Sequence, residues 1–361
     1  MLNHVRAFWQ GRRFWRPGPD RPVRAALALG GGGVIGGMYE VGALAALEDR
    51  LGADARGFDV YVGCSAGSVV ASLLANGVRA TEIYRILDQD LADPLNFRRN
   101  AVFASDSFRR AAGRFGRMVW AFGKNAVTAI RGSIPDMLAR AERDLPPGFF
   151  SLAQLELFMR EAFAARGLSN SFTTLPRRLL IPAIDLDRAE RVVFGCNELR
   201  DVPISHAVAA SSAIPGFFEP YTIDGRDYVD GGVGFSGHAD LAAEAGAEVV
   251  FVVHPLVPSL VDGEGAPMRT RGLYSILDQA SRIYGQNLLT LGLAPLGVKF
   301  PGTTFFLLEP SRVKTPLFGP SMGFEASRAA LRYGYTSTLA WLDAQGQGLL
   351  RRLVPDTIAA F

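Results

Sequence analysis

The stretch Arg24-Ala25-Ala26-Leu27-Ala28-Leu29-Gly30-Gly31-Gly32-Gly33-Val34-Ile35-Gly36-Gly37 decides the fold. Arg24 to Leu29 reads as a short buried strand that stops where the glycines begin. Beyond them Met38, Val41, Leu44, Leu47 and Leu51 recur at intervals of three and four, which predicts a helix with one apolar face, and Gly52 ends it. The arrangement repeats at once. Phe58-Asp59-Val60-Tyr61-Val62 is a second strand, Gly63-Cys64-Ser65-Ala66-Gly67 a turn, and a helix runs from there to about Asn76. Strand, loop, helix, strand, turn, helix opens an α/β fold: an open, mainly parallel sheet flanked by helices.

From about Ala92 to Gly148 the pattern changes to a basic, Phe-rich helical insertion closed by Pro146-Pro147-Gly148. Ser151-Leu152-Ala153-Gln154 has the form of a capping box opening a helix to about Arg166. Arg178 to Ile184 and Arg191 to Phe194 read as strands, and Ser205 to Ser212 as a short helix before Pro215-Gly216. Tyr221-Thr222-Ile223 and Arg226-Asp227-Tyr228-Val229 form a hairpin that turns at Asp224-Gly225. Glu248 to His254 is an apolar strand, 258–270 a loop, and helices near 272–292 and 324–342 flank a last strand at Thr304 to Leu308. The expected organisation is a basic aromatic arm at 1–24, a catalytic domain over 25–342 with the insertion at 92–148, and a tail at 343–361.

A chain of 361 residues, 48% apolar and 20% charged, can bury a sizeable core. It holds no run of 18 apolar residues, so no spanning helix is expected. Cys64 and Cys196 are too few to staple the fold and have no partner at metal-ligand spacing, which points to a reducing compartment and no metal. The net charge of +3 hides an asymmetry. Residues 1–24 carry six Arg against Asp20, a net of +5, and residues 98–143 carry ten Lys or Arg against three acids, a net of +7, so the remainder sums to −9. Concentrated positive charge points to an anionic surface, and no recognition motif makes nucleic acid that partner. Aromatics interleaved with arginine from Phe8 to Arg16 leave no apolar core for a secretory signal, so the expected location is cytoplasmic.

Gly31-x-Gly33-x-x-Gly36 after a strand matches the dinucleotide fingerprint, but the second strand ends in Gly63-Cys64-Ser65 where a ribose-binding acid belongs, so that reading fails. Gly63-x-Ser65-x-Gly67 at a strand–turn–helix junction has the form of a nucleophile elbow, which exposes a hydroxyl at a helix N-terminus. A tight turn with a capping serine has the same residues. Four histidines could serve as base: His4 lies in the arm, His206 opens a short helix, and His238 and His254 are the remaining candidates. Asp230-Gly231-Gly232 supplies an acid that is a plain turn residue when taken alone.

Taken together, Gly31-Gly32-Gly33-Val34-Ile35-Gly36, Gly63-Cys64-Ser65-Ala66-Gly67 and Asp230-Gly231-Gly232, with Ala210-Ser211-Ser212-Ala213-Ile214-Pro215 before the last, resemble the patatin-like phospholipase family over about residues 25 to 255. The resemblance implies a three-layer fold and a cofactor-free lipid acyl hydrolase with a Ser–Asp dyad. Ser65 would be the nucleophile and Asp230 its base. The backbone N–H groups of Gly31, Gly32, Gly33 and Val34 would form the oxyanion hole, with Gly36, Gly63, Gly67, Gly231 and Gly232 as motif glycines. An acyltransferase using the same acyl-enzyme and a lipid-binding scaffold with a vestigial site are the alternatives. Two positions depart from the family. Ile35 stands where an Arg or Lys is common, which favours a neutral ester over a phospholipid. Val233-Gly234-Phe235-Ser236-Gly237-His238 replaces an Asn and a Pro.

Drawn as a helix, Phe108 to Lys124 places Phe108, Ala111, Ala112, Phe115, Met118, Val119 and Phe122 on one arc, Arg109, Arg110, Arg114, Arg117 and Lys124 opposite, and Trp120 on a flank. That segregation fits a helix lying in an anionic membrane interface, each cation adding ~1 kcal/mol there. A core-packed helix with solvated arginines shows the same pattern. The aromatic–basic arm favours peripheral membrane contact, with a lipid or acyl ester as substrate.

Overall fold

Alternation along the first strand sets up two cores. In β1 (Ala25–Leu29) Leu27 and Leu29 face one side of the sheet and Ala26 and Ala28 the other, and all four are buried. A computed structural model describes residues 24–51, 57–96, 147–235, 237–260, 267–312 and 324–345, with Gly116, Trp120 and Leu317. The arm, most of the insertion and the tail from 346 lie outside the described residues. So do Phe108, Arg109, Arg110, Arg114, Phe115, Arg117 and Phe122; Trp120 alone of that set is described, helical and 64% exposed.

The remaining strands are β2 (Val60–Gly63), β3 (Arg178–Asp185), β4 (Glu190–Phe194), β5 (Tyr221–Ile223), β6 (Arg226–Asp230), β7 (Val249–Val253) and β8 (Thr304–Leu308). They form one sheet in the order β5-β6-β3-β2-β1-β7-β8, with β4 paired to the outer half of β3. The central pairs β3–β2, β2–β1, β1–β7 and β7–β8 are parallel, and β4, β5 and β6 join by antiparallel pairing. The mainly parallel sheet expected from the opening motif is present.

Helices cover both faces. On one side lie α1 (Gly33–Leu51), α2 (Ala66–Ala75), α3 (Ala80–Asp88), α4 (Ala153–Ala165), α5 (Ile204–Ser211) and α9 (Phe324–Gln345). On the other, α6 (Ala239–Glu244), α7 (Leu273–Leu293) and α8 (Leu296–Lys299) pack on Ala26, Val62, Val250 and Phe305. Both faces of the central strands are therefore apolar, the condition for a parallel sheet. Strand order reverses at β1, between β2 and β7. Ligands of open α/β sheets bind beyond the strand ends at such a point, and the glycine loop leaves β1 there.

One local expectation fails. The capping box at Ser151-Gln154 does not form: α4 opens at Ala153 with Leu152 in the cap position, and Ser151 Oγ only accepts the Ala153 N–H at 3.3 Å. Leu152 is 2% exposed, so burying its side chain against the core outweighs a polar cap.

Helices α1 and α9 touch backbone to backbone through two glycines. A Cβ on Gly42 would lie 2.0 Å from the Leu331 carbonyl oxygen, and one on Gly334 would lie 2.3 Å from that of Tyr39. Replacing Gly42 by Ala is expected to cost about 1–3 kcal/mol by overpacking, read as a lower urea midpoint at unchanged m-value.

Candidate active site

Ser65 closes the β2–α2 junction with φ 54° and ψ −130°, a backbone region that a residue with a side chain rarely occupies. Neighbouring glycines make the bend possible. A Cβ on Gly63 would lie 2.5 Å from the Gly67 carbonyl oxygen, and one on Gly67 would lie 2.7 Å from that of Leu29. The strained residue is tied from two sides. Its N–H donates to Ser211 Oγ at 3.0 Å, Ser211 in turn donates to the Pro182 carbonyl at 2.7 Å, and Ser68 Oγ donates to the Ser65 carbonyl at 2.6 Å.

Asp230 ends β6, in register with Ala183 of β3, and its N–H is held by the Ala213 carbonyl at 3.0 Å. Its Oδ1 accepts the Gly232 N–H at 2.8 Å and faces the Cys64 thiol at 3.6 Å. Burial raises the Asp230 pKa above the ordinary carboxylate value, and hydrogen bonding from Ser65, Gly232 and Cys64 opposes that rise. The side chains 165 positions apart thus meet, Ser65 and Asp230 both 6% exposed. Gly231 has no room for a side chain: a Cβ there would lie 2.5 Å from the Pro182 carbonyl oxygen.

The glycine loop lies against the elbow. Gly31, Gly32 and Gly33 all have positive φ, 73°, 118° and 64°. No acceptor among the described residues takes the N–H groups of Gly32, Gly33 or Val34, which form the open N-terminal turn of α1. The expected donor set is corrected at its first member. The Gly31 N–H is already donated to Glu40 Oε1 at 2.8 Å, and the Gly36 N–H to the Gly32 carbonyl at 3.1 Å as the helix begins.

Neither late histidine has Ser65 among its hydrogen-bond partners. His238 Nε2 donates to the Gly231 carbonyl at 3.0 Å while its Nδ1 faces Arg191 at 3.5 Å, and burial with that arginine lowers its pKa to about 4. It holds the turn after Asp230. His254 is buried at the end of β7, its pKa also lowered to about 4 by burial, and His206 bonds Tyr221 Oη at 2.8 Å.

From Ser65 an apolar cavity of about 120 Å³ runs between helices. Val34, Met38 and Val41 of α1, Val69 and Leu73 of α2, Ile83 and Leu87 of α3, and Leu155, Phe158 and Met159 of α4 line it, with Ile214 and Phe218. Among the described residues its polar side chains are Ser65 and Ser212, and none that lines it is charged. The volume compares with that of a dry apolar cavity that takes up benzene. Sequence reading missed this site because its walls are spaced like core positions, and only their failure to meet one another marks them.

The family model Patatin-like phospholipase matches residues 27–242, which include all three glycine motifs and the whole Ser65–Asp230 pair. The chain belongs to the patatin-like phospholipase family. Among solved structures it is similar to VipD from Legionella pneumophila, with a TM-score of 0.40 and 18% identity over 90% of this chain and 68% of that one. It is also similar to the type III effector protein ExoU, with a TM-score of 0.38 and 17% identity over 91% of this chain and 54% of that one, about half its length. A comparison with curated proteins finds no match. Patatin-like phospholipases are lipid acyl hydrolases, so the chain is in general terms a lipid hydrolase. Where the family commonly carries a cation, Ile35 is 2% exposed and packed into the core, so its side chain does not face the cavity.

A buried carboxyl with a raised pKa binds more protons folded than unfolded once pH exceeds the unfolded value near 3.8, so its stability penalty grows as pH rises towards the folded pKa. Asp230→Asn is therefore expected to raise the urea midpoint at neutral pH and to give a smaller gain near pH ~3.5, measured by denaturation at both pH values.

Proposed function

We propose that the protein hydrolyses neutral lipid acyl esters through a Ser65–Asp230 dyad and an acyl-enzyme. Residues 25–342 would be one catalytic unit, with 92–148 inserted in it. Ser65 Oγ attacks the ester carbonyl while its proton passes to Asp230, and the carbonyl oxygen becomes an oxyanion. Gly32, Gly33 and Val34 offer it uncommitted N–H groups at a helix N-terminus, where the dipole favours negative charge. Collapse expels the alcohol, which takes the proton back from Asp230. Water then repeats the sequence and releases the acid.

The observation that carries this reading is the meeting of a strained-turn serine, an acceptor carboxyl and open amides at the mouth of a cavity whose described lining is uncharged. Aspartate is a weak base for a free hydroxyl. Two features narrow the gap: burial strengthens Asp230 as a base, and the adjacent amides take up the charge as it develops. The apolar channel suits an acyl chain, and the described residues that line it include no cation, which favours an uncharged ester head.

A membrane surface is the expected workplace, because α7 turns an uncharged face to solvent and α8 adds Val298 beside the Lys299–Glu244 pair. Ile276, Leu277, Ile283, Tyr284, Leu291 and Val298 are exposed there, while Asp278 and Arg282 pair with each other and lie 14% and 1% exposed. None of the described helices is long and apolar enough to cross a bilayer. Vesicle sedimentation should show weaker binding for Leu277→Glu/Leu291→Glu on any lipid. Arg→Gln changes at 109, 110, 114 and 117 should weaken it on anionic vesicles only.

Ser65→Ala is expected to abolish both fluorophosphonate labelling and ester cleavage, and Asp230→Asn to lower kcat by about 10⁴-fold, without change in vesicle binding. Because ionised Asp230 is the active form, kcat/KM should fall as pH drops, with a midpoint above that of an ordinary aspartate. Cleavage by Ser65→Ala at the wild-type rate would remove the mechanism.

A further inference from the structure

We infer that Glu40 is a positioning residue of the oxyanion loop: its buried carboxyl fixes the Gly31 amide so that the next three amides face Ser65. The inference rests on the dyad reading above and adds to it a residue that the resemblance does not assign.

Glu40 lies on α1 seven residues beyond Gly33, two turns on and on the same face, so its side chain points back towards the loop. It is 0% exposed. A fully buried glutamate ordinarily has a cationic partner. Among the described residues this one has none: Oε1 accepts the Gly31 N–H at 2.8 Å, and Oε2 is buried without a hydrogen-bond partner. The titratable side chain that faces it is Cys64 of the elbow, which burial keeps as a thiol. Among the described residues no charged group from α9 or from the end of β7 acts on it, and the Gly31 and Gly30 amides offset its burial.

Three consecutive glycines with positive φ give the loop its reach and remove any side chain that could anchor it. The tie must come from outside the loop, and Glu40 supplies it. Orienting the amide plane before Gly31 constrains the planes that follow, whose N–H groups are the open ones. A carboxyl in this setting remains a neutral acceptor at neutral pH, because burial moves its pKa up to about 8. Ionisation above that point places a negative charge beside amides that must receive an oxyanion, which opposes the reaction.

The test compares full-length wild type, Glu40→Gln and Glu40→Leu on a short-chain chromogenic ester, with kcat and KM measured from about pH 5 to about pH 10. Wild type should lose kcat on the alkaline side with a midpoint near pH 8. Gln keeps a neutral acceptor, so it should hold the plateau within about threefold and show no alkaline fall. Leu keeps the bulk without the acceptor and should lose about 10²-fold in kcat with KM within about threefold. Wild-type kcat in Glu40→Leu, an equal loss in both variants, or an alkaline fall that persists in Gln would each overturn the inference. If the Leu variant fails to fold by circular dichroism, the Gln pH profile decides alone. Ser65→Ala runs alongside: activity there removes the dyad, whereas its inactivity beside an unimpaired Glu40→Leu removes only the role of Glu40.

Discussion

A Cβ on Gly31 would lie 2.4 Å from the Cys64 carbonyl oxygen and 2.8 Å from Ser65 Cβ. The loop after β1 and the elbow after β2 approach so closely that only hydrogen atoms fit between them. Parallel pairing of the two strands in register, Leu29 opposite Gly63, delivers both loops to the same end of the sheet at the same height. Every feature of the site depends on that approach. The open amides of α1 can serve a group at Ser65 only because nothing separates the two loops, and the cavity begins where α1 and α2 diverge from the contact.

The electrostatics follow from burial more than from pairing. Among the described residues neither Asp230 nor Glu40 has a cationic partner, and burial raises the pKa of each. They differ in what surrounds them. Asp230 faces a hydroxyl, a thiol and an amide, donors that favour its ionised form. Glu40 meets backbone amides alone and leaves one oxygen unpaired, so the neutral form prevails. Placing two buried carboxyls in different settings within the same few loops is the usual way a fold separates the roles of like groups. The nearby arginine is used elsewhere: Arg191 pairs with Asp240 and lies over Phe235, and so steadies His238 and the turn after Asp230.

Much of this was legible in the residues. Glycines at 30–33 marked a strand end, the three-and-four spacing marked α1, and Asp224-Gly225 marked the β5–β6 hairpin, because each signal is local and has one inexpensive backbone solution. The last strand, Thr304 to Leu308, was equally plain. Ser151-Gln154 was misleading, since a capping motif competes with burial of Leu152, and the outcome depends on what α4 packs against. Gly31 was assigned an open N–H that Glu40 in fact takes, a partner nine residues away whose direction is set by the helix.

The order of motifs determined by itself that a strained serine and a turn aspartate belong to an α/β sheet, because period and glycine placement act over a few residues. Tertiary structure alone decided that Asp230 lies beside Ser65, that none of the described histidines bonds it, that Ile35 faces the core, and that Val69, Leu73 and Phe158 line a channel. Those outcomes come from helices packing at distances the chain order does not encode. An apolar side chain at helical spacing looks the same in the sequence whether its neighbour touches it or stands a substrate's width away.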